Sequence, residues 1–417
     1  MSVGVMSVGA LDGLRVLDLS RVLAGPWAAQ ALGDLGADVT KVEQPGRGDE
    51  TRRWGPPFLD GPDGPNDAAY YLATNRNKRC IAVDFAQPEG ADLVRRLAAQ
   101  SDVVIENFRT GGLVRYGLDY STLAARDPRL IYCSITGFGQ TGPYATHPGY
   151  DFLIQGMSGL MSITGTAEGG PTKVGVAVSD VFTGLYAVNA ILAALHHRER
   201  TGQGQHIDCA LLDSQVGVLV NQAMNLLVSG KEPGRLGNAH PNVVPYREFA
   251  TADGHVLVAC GADSHFRALC GVLGLPDVAA DPAYASNARR LMNRATLETA
   301  LGDAIGIWSR DALLAAMTAA GVPGGPINTI GQALADPQVR ARGMVQTMHR
   351  GDGTEVKVIA YPSKLSATPA TYRIAPQRQG EDTDAVLAER LGLDATELAR
   401  LRAAKVTGGV PDRDGVA

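Results

Sequence analysis

The stretch Pro171–Ala187, PTKVGVAVSDVFTGLYA, contains a carboxylate, Asp180, whose surroundings suit it to chemistry. An apolar run, Val174–Val178, precedes it and is interrupted only by Gly175. Apolar residues at helical spacing follow it, namely Val181, Leu185, Val188, Ile191 and Leu192. We therefore predict that Asp180 lies where an extended, glycine-containing segment becomes a helix.

This position has two interpretations, which do not exclude each other. Either Ser179 or Asp180 is an N-cap, because a side-chain oxygen there accepts from the free N–H groups of the first helical turn. Alternatively, Asp180 is a carboxylate nucleophile, and the partial positive charge of the helix N-terminus helps to keep it ionised.

Motifs for other kinds of catalysis are missing from the sequence. There is no GxSxG elbow and no HExxH or other metal-ligand spacing, so we expect no metal site. His240 lies in a loop rich in Gly, Asn and Pro, where a binding role and a turn role are both open. The five cysteines form no CxxC or Cys/His cluster and are predicted to be reduced thiols: Cys80, Cys133, Cys209, Cys260 and Cys270.

The composition is that of a soluble globular enzyme. Hydrophobic residues make up 45% and charged residues 19% of the 417 residues, a length that suggests two or three domains. The net charge of -5 and the lack of a basic stripe argue against nucleic acid as a partner. The first residues lack a signal-peptide pattern and no window has the ~18 apolar residues of a membrane span, so we expect a cytoplasmic protein with no membrane partner.

The first half of the chain alternates strands and helices, beginning with a βαβ unit. A strand at Leu14–Leu19, a helix at Pro26–Leu35 and a strand at Ala37–Glu43 predict parallel strands and a Rossmann-like start. Further elements are predicted as strands at Cys80–Asp84, Asp102–Glu106, Leu130–Ile135 and Gln205–Ala210, and as a helix at Asp180–His197. The fingerprint GxGxxG is missing, which argues against NAD as a ligand.

The character of the sequence changes near Lys231, where KEPGRLGNAHPN predicts a linker. A β-hairpin is predicted from Tyr246–Ala250 and His255–Cys260, and the tail from Thr407 is predicted to be mobile. The predicted domains are a large Rossmann-like domain at 1–228, a linker at 229–242, a small α+β domain at 243–330, and a return linker with the C-terminal part of the large domain at 331–417.

Ten segments occur in order between Leu11 and Asp336. They are LDGLRVLDLSRVLAGP, GADVTKVE, NRNKR, VIENFRTG, YCSITGFGQTGP, GYD, the SD before the long helix, RTGQGQHID, GNAHPNVVPY and GVPGGPI. Together they resemble the family III CoA transferases. Within that family, RVLAGP, TRRWGPPF and ATNRNKR are more similar to the succinate–hydroxymethylglutarate (glutarate) branch than to the oxalate branch.

The resemblance implies a large Rossmann-like domain with a parallel sheet, a smaller domain, and two ring-like chains interlocked as a homodimer. It maps the family's catalytic aspartate onto Asp180 and its substrate-side tyrosine onto Tyr70. A glycine-rich lid over the acyl group corresponds to Gly237–Pro241, which includes His240. The positions that contact CoA map onto Val22, Leu23, Ala24, Val83, Asn107, Phe108 and Arg115.

Basic residues near strand ends are either solvated faces or contacts for anions. Given the resemblance, Arg76, Lys78 and Arg109 are candidates for the phosphates of CoA. Arginine binds carboxylates in a bidentate manner, so Arg52, Arg53 and Arg247 are candidates to hold the distal carboxylate of a dicarboxylic acid.

The implied activity is transfer of CoA from an acyl-CoA, with succinyl-CoA expected, to an acid such as glutarate or hydroxymethylglutarate, through an aspartyl-CoA thioester. CoA is then a substrate, and no tightly bound cofactor is expected. The alternatives are a 2-methylacyl-CoA racemase and a non-catalytic CoA-binding protein. A racemase needs two acid/base groups, but its GHD motif is Gly149-Tyr150-Asp151 here, and tyrosine is a poor base at neutral pH.

Overall fold

The computed structural model describes residues 9–61 and 64–410. The strands in chain order are β1 Arg15–Asp18, β2 Asp38–Glu43, β3 Phe58–Gly61, β4 Gly64–Ala68, β5 Lys78–Val83, β6 Val103–Glu106, β7 Ile131–Thr136, β8 His206–Ala210, β9 Tyr246–Thr251, β10 Gly254–Ala259, β11 Gly324–Pro326, β12 Val345–His349, β13 Glu355–Ile359 and β14 Thr407–Gly408. The helices are α1 Ala24–Asp34, α2 Ala69–Leu72, α3 Pro88–Ala98, α4 Tyr120–Ala124, α5 Asp151–Met157, α6 Leu160–Ile163, α7 Val178–Thr201, α8 Leu211–Gly217, α9 Val220–Ser229, α10 Asp263–Leu273, α11 Pro276–Ala280, α12 Asn287–Met292, α13 Arg294–Gly306, α14 Arg310–Ala319, α15 Ile330–Ala335, α16 Pro337–Ala341, α17 Thr383–Leu391 and α18 Ala395–Ala403.

The chain divides into two compact units, each made of segments that are separated in sequence. The large unit consists of the described residues within Met1–Leu160, Val174–Asn221 and Arg340–Ala417. The small unit consists of Met161–Lys173 and Gln222–Val339. This division differs from the predicted domain boundaries, which placed 161–173 in the large domain and started the small domain at residue 243.

The large unit is built on a seven-stranded sheet with the order β14-β5-β2-β1-β6-β7-β8. β14 is antiparallel to β5, and the other neighbouring pairs are parallel. Numbered along the chain, the six parallel strands have the order 3-2-1-4-5-6 of a Rossmann fold. The Rossmann-like α/β prediction is therefore confirmed, and the strand order reverses between β1 and β6, where such sheets bind ligands at the carboxyl ends of their strands.

Helices cover both faces of this sheet. On one face α1 and α7 bury Ala28, Leu32 and Ile191 against it, and on the other α3 and α17 bury Val94 and Leu387. Apolar side chains at helical spacing hold these helices against the sheet. Each Å² of apolar surface that they remove from water stabilises the fold by roughly 25 cal/mol. The sheet edge at the β1–β6 reversal is thus fixed by two apolar cores.

The long helix α7 has 24 residues and begins two residues before the predicted start at Asp180. It is long and apolar enough to cross a membrane by length and composition, a test that the core helix of a soluble protein also passes. Its Ala187, Ile191 and Ala194 are completely buried in the core of the large unit. Packing in that core accounts for the apolar face of α7.

Two predictions about chain ends and turns were wrong. α1 begins at Ala24, so Pro26 is its third rather than its first residue, a position where a missing N–H still costs no helical hydrogen bond. Thr407 is not part of a frayed tail, because β14 pairs with the end of β5 and buries Thr407. Residues 411–417 of the predicted tail lie outside the described residues.

The small unit contains the antiparallel sheet β11-β10-β9 and the helices α10 to α14. The predicted hairpin is confirmed as β9 and β10, which pair from Tyr246 with Ala259 to Thr251 with Gly254. Its core packs aromatic and aliphatic side chains from the sheet and these helices, including Phe249, Val256, Phe266, Leu301 and Leu313.

Candidate active site

Two loops meet where the strand order reverses, one after β1 and one after β6. Asn107 joins them, since its Nδ2 donates to the carbonyl of Arg21 over 2.6 Å and its Oδ1 accepts from the N–H of Arg21 over 2.9 Å. The guanidinium of Arg21 lies 4.9 Å from the centre of the Phe108 ring. Five of the residues predicted to contact CoA are thereby brought to one edge of the sheet: Val22, Leu23, Ala24, Asn107 and Phe108.

Asp180 lies next to this edge because α7 packs closely against the start of α1. At Gly184, one helical turn after Asp180, an added Cβ would lie 2.7 Å from the carbonyl oxygen of Ala24 and 2.9 Å from Cδ1 of Trp27. Only a residue without a side chain permits this approach. Since one helical turn rises about 5.4 Å, the backbone of Asp180 lies about one turn along α7 from this contact with the start of α1.

The first turn of α7 is capped by a carboxylate from another helix. The N-cap residue, Ala177, has no side-chain cap, and the N–H of Ser179 donates to Oδ1 of Asp151 over 2.8 Å. Asp151 is the first residue of α5, and its Oδ2 accepts from Nε2 of Gln155 over 2.7 Å. The prediction that Ser179 or Asp180 caps the helix is therefore wrong, because Asp151 already does so.

Two buried glutamines fix the chain just before Asp180. The Oγ of Ser179 donates to Oε1 of Gln215 over 2.8 Å, and the N–H of Val174 donates to Oε1 of Gln155 over 2.9 Å. The carboxylate of Asp180 itself has no hydrogen-bond partner among residues 9–61 and 64–410. The first turn of α7 is thus held by its neighbours, while its one acidic side chain is left available for reaction.

Burial and a neighbouring charge raise the pKa of Asp180. Burial is the larger cause and the carboxylate of Asp151 the second, and together they raise this pKa to about 7. The helix N-terminus was expected to help to keep Asp180 ionised by roughly 0.3–1 kcal/mol, and burial and the charge of Asp151 act in the opposite direction and outweigh it. A raised pKa makes the ionised carboxylate a more basic nucleophile, at the cost of requiring a pH near or above 7.

Tyr70, on α2, shares this environment. Burial, followed by the charges of Asp180, Asp151 and Asp49, raises the pKa of Tyr70 to about 12. Its ring meets the ring of Trp54 edge to face, with 5.2 Å between centroids. The predicted substrate-side tyrosine therefore lies within electrostatic range of Asp180 and keeps a neutral hydroxyl that can donate a hydrogen bond.

Arg52, a predicted ligand for a substrate carboxylate, is buried and fully engaged by the chain itself. Its Nε and NH2 donate to the two carboxylate oxygens of Glu43 over 2.8 and 2.7 Å, and its NH1 donates to Asp67 over 2.6 Å. NH2 also donates to the hydroxyl of Tyr71 over 2.6 Å, and the Tyr71 ring faces the guanidinium. The donors of Arg52 are thus already paired inside the large unit, so binding a substrate carboxylate would require Arg52 to leave these partners.

We expect Arg52→Met to lower the free energy of unfolding by about 3–5 kcal/mol, because it leaves buried carboxylates without their cation. Chemical denaturation measures this change. The exposed neighbour Arg53 provides the control, and Arg53→Met is expected to change stability by less than about 0.5 kcal/mol. An Arg52→Met protein of unchanged stability but a raised KM for the acid would restore the substrate-binding interpretation.

Arg76 and Lys78 were predicted to contact the phosphates of CoA and are also buried. Arg76 donates from Nε and NH2 to the two oxygens of Asp34 over 2.9 and 2.6 Å. Lys78 donates from Nζ to Asp18, to the carbonyl of Pro26 and to Asn75, at 2.9 to 3.0 Å. Neither cation can reach a ligand phosphate without leaving these partners, so the structure gives both of them a role within the large unit.

The remaining predicted CoA contacts differ in their accessibility. Val83 is completely buried at the end of β5, so its side chain cannot touch a ligand. Arg115 is exposed and lies over the ring of Tyr116 at 4.6 Å. Phe85 meets both Phe108 and Tyr116 edge to face, so this aromatic group links Arg115 to the loop after β6. Of the basic candidates near CoA, Arg109 and Arg115 are exposed.

Gly237 and His240 belong to the small unit and are described within it. Gly237 has a φ of 58°, which favours glycine, and its N–H donates to the carbonyl of Gly165 over 2.9 Å. Nδ1 of His240 accepts from the N–H of Asn242 over 3.0 Å, and its ring lies 5.2 Å from that of Tyr246. In this structure His240 therefore supports a turn, while its role toward a substrate stays a prediction.

Sequence reasoning missed Asp151 as part of this site. The motif Gly149-Tyr150-Asp151 was considered as one of the ten segments and for the histidine that a racemase would need, and no role was assigned to Asp151. The sequence does contain a signal for this role, because Asp151 is an acidic residue shortly before the segment that leads into α7, and a carboxylate stabilises the N-terminus of a helix. Nothing in the local sequence, however, indicates which helix it caps.

A model of CoA-transferase family III matches residues 11–383. With the fold and the position of Asp180, this shows that the chain belongs to CoA-transferase family III and confirms the resemblance carried by the ten motifs. The match also extends beyond Asp336, where the motifs end.

Individual relatives cover nearly the whole chain. The succinate–glutarate CoA-transferase of Agrobacterium fabrum is 53% identical over 387 residues, which are 93% of this chain and 97% of that protein. The human succinyl-CoA:glutarate CoA-transferase is 41% identical over 400 residues, covering 96% of this chain and 90% of that protein. The crystal structure of a CAIB/BAIF family protein from Brucella suis has a TM-score of 0.82 and 52% identity, covering 92% of this chain and 100% of that chain.

Proposed function

We propose that this CoA transferase moves CoA from succinyl-CoA to a dicarboxylic acid such as glutarate or hydroxymethylglutarate, with Asp180 as the covalent nucleophile. The observation that carries the proposal is Asp180, whose backbone lies about one helical turn along α7 from the contact of Gly184 with the start of α1. Its carboxylate has no hydrogen-bond partner among the described residues. The names of the relatives from Agrobacterium fabrum and human support the choice of substrates.

The reaction begins when the ionised carboxylate of Asp180 attacks the thioester carbonyl of succinyl-CoA. A C–O bond forms, the C–S bond breaks, and the products are a mixed anhydride and the CoA thiolate. The thiolate then attacks the side-chain carbonyl of Asp180 in the anhydride, which forms an aspartyl-CoA thioester and releases succinate. Splitting one difficult transfer into such steps is what covalent catalysis achieves.

The second acid completes the cycle by the same steps in reverse. Its carboxylate attacks the aspartyl-CoA carbonyl and displaces the thiolate, which then attacks the acyl carbonyl of the new anhydride. The new acyl-CoA leaves, and the Asp180 carboxylate is regenerated without a net proton or electron. Each step develops an oxyanion, for which the N–H groups of the loop after β1 and the hydroxyl of Tyr70 are the proposed donors, and one such donor is worth roughly 10²–10³ in rate.

The remaining proposals concern assembly and ligand contacts. We propose an interlocked cytoplasmic homodimer, with Gly237–Pro241 as a lid over the acyl group and with Arg109 and Arg115 near the phosphates of CoA. Apolar side chains exposed on the large unit support an interface with a second copy. They are Phe152, Leu153, Met157, Leu185, Tyr186 and Val216.

The racemase alternative is not favoured. Membership of the CoA-transferase family and the names of the relatives point to transfer. Tyr150, at the position of the racemase histidine, is 65% exposed, and a tyrosine side chain is a poor base at neutral pH.

A panel of acids with succinyl-CoA as donor tests the proposed substrates. We expect glutarate and hydroxymethylglutarate to give acyl-CoA products, identified by mass. Their kcat/KM is expected to be at least about tenfold above that of monocarboxylates of equal length, because a monocarboxylate leaves the protein group that binds the distal carboxylate without its partner. We also expect parallel lines in double-reciprocal plots, as in a ping-pong mechanism. Equal use of monocarboxylates would contradict the dicarboxylate assignment, and intersecting lines would contradict the covalent one.

A further inference from the structure

The loop after β1 has a backbone conformation that its sequence does not favour. Val22 has a φ of 72°, and a β-branched residue in the left-handed region is a genuine outlier. Such strain persists only where the surrounding structure enforces it, and it is concentrated at functional sites.

One buried carboxylate holds Val22 in this conformation. Both oxygens of Asp49 accept from the N–H of Val22, at 3.3 and 3.2 Å. Asp49 is completely buried. Its carboxylate is held by Nζ of Lys41 over 3.1 Å and by Thr51, whose N–H and hydroxyl both donate to it. Lys41 is buried as well, and it also donates to the carbonyl of Ser20 over 2.8 Å. The Lys41–Asp49 pair thus binds the backbone of the loop on both sides of Arg21.

A second buried pair, Lys78–Asp18, holds the two ends of the same loop. Asp18 accepts from the N–H of Ser20 over 3.0 Å, and Lys78 donates to the carbonyl of Pro26 over 2.9 Å. Between these anchors, the N–H groups of Leu23 and Ala24 find no acceptor among the described residues, and α1 has no side-chain cap. The four buried charges therefore bind the backbone at Ser20, Val22 and Pro26. The N–H groups of Leu23 and Ala24, which lie between Val22 and Pro26, are left free to bind a ligand.

We propose that Asp49 is a positioning residue for CoA transfer, which holds Val22 in its left-handed conformation and thereby sets the direction of the donors at Leu23 and Ala24. This inference rests on the proposed function, because it assigns those donors to the acyl-CoA. Asp49 is buried behind the loop's backbone and does not itself touch the substrate. It acts through the N–H of Val22, and the ion pair with Lys41 holds its carboxylate in place.

The alternative is that the Lys41–Asp49 pair only stabilises the fold. The two interpretations differ in the effect of relieving the strain at Val22. Glycine adopts positive φ readily, so Val22→Gly makes the loop conformation accessible without Asp49. If Asp49 only stabilises the fold, the same substitution adds backbone entropy to the unfolded chain and cannot restore activity.

The experiment compares kcat/KM and the melting temperature of Asp49→Asn with those of the double variant Val22→Gly/Asp49→Asn. We expect Asp49→Asn to lower kcat/KM about 10²-fold, as for a donor misplaced by about 1 Å. The double variant is expected to recover about fivefold to tenfold in kcat/KM, as the cost of a left-handed residue implies, without a higher melting temperature. No recovery, or recovery only in proportion to stability, would overturn the proposal.

Two further variants keep the test decisive. Asp34→Asn removes another buried carboxylate, which pairs with Arg76 at the far end of α1, so it is expected to lower the melting temperature while changing kcat/KM by less than about threefold. If Asp49→Asn is not recovered folded, Asp49→Glu replaces it, since it keeps the charge but displaces the acceptor from Val22. The same rescue by Val22→Gly is expected, and its absence would count against the proposal.

Asp180→Ala is assayed alongside these variants. An inactive Asp180→Ala together with a failed rescue would overturn only the role of Asp49. An Asp180→Ala protein with parental activity would overturn the proposed function itself.

Discussion

Asp180→Ala is expected to lower kcat for CoA transfer by roughly 10⁴-fold or more, the loss seen when a covalent nucleophile is removed. The reason is that the aspartyl-CoA thioester cannot form without this carboxylate. The acceptor acid would then have to attack succinyl-CoA directly, without the covalent intermediate that divides the transfer into easier steps. Steady-state rates with succinyl-CoA and glutarate measure the effect. The matched control is Asp213→Ala, which removes another first-turn carboxylate, on α8, and is expected to leave kcat within about twofold.

Loss of folding can be separated from loss of catalysis by the sign of the stability change. In the folded chain the pKa of Asp180 is raised from 3.8 to about 7. Its contribution to stability therefore falls as the pH rises between these values and stays lost above them. Asp180→Ala should melt at the same temperature as the parent or higher at about pH 8. An active Asp180→Ala protein would remove Asp180 from the mechanism.

The second large effect is on the pH dependence of kcat/KM. Since Asp180 must be ionised to attack and its pKa is about 7, kcat/KM is expected to fall about tenfold for each pH unit below that value and to level off above it. Initial rates between about pH 5.5 and about pH 9 measure the profile. A flat profile through neutral pH would show that no group with a raised pKa controls the reaction.

Asp151→Asn separates the two effects that Asp151 has on Asp180. The amide oxygen can still accept from the N–H of Ser179, so the first turn of α7 keeps its cap, but the bond from Nε2 of Gln155 and the negative charge that raises the pKa of Asp180 are lost. The rise in kcat/KM is therefore expected to move to lower pH. Asp213→Asn, which leaves this charge in place, is expected not to move it, and an unchanged profile in Asp151→Asn would contradict the assigned cause.

The sequence was sufficient to predict the parallel sheet and the place of the proposed nucleophile at the start of a long helix. Alternating strands and helices from Leu14 onward predict a βαβ unit because short-range periodicity reflects which faces are buried. The position of Asp180 followed from a change of pattern at the start of α7. The alternation of elements and the change of pattern at the start of α7 both depend on residues that are close together in the sequence, so they could be recognised without a structure.

The roles of the basic residues could not be predicted, because their partners are distant in sequence. Arg76 and Lys78 look like a solvated basic group in NRNKR, yet each is buried against an aspartate, Asp34 and Asp18, contributed by an earlier element of the sheet. Arg52 likewise pairs with Glu43 and Asp67. Burial of a charge depends on these pairings, and a linear sequence does not show which carboxylate will face which cation.

The same limit explains the cap of α7 and the last strand. Local sequence offered Ser179 and Asp180 as caps, whereas the cap comes from Asp151 on another helix. β14 forms because the chain returns to the edge of the sheet beside β5, near the end of the described residues. In each case a tertiary contact replaced the local preference.

The most direct test of the central claim is to trap the intermediate on Asp180. The protein is incubated with succinyl-CoA in the absence of an acceptor acid, treated with hydroxylamine, digested and analysed by peptide mass spectrometry. We predict a hydroxamate on Asp180, formed when hydroxylamine displaces CoA from the aspartyl thioester, and none when succinyl-CoA is omitted or when glutarate is present in excess. Absence of the modification from Asp180 under conditions of full turnover, or its appearance on another carboxylate, would contradict the account.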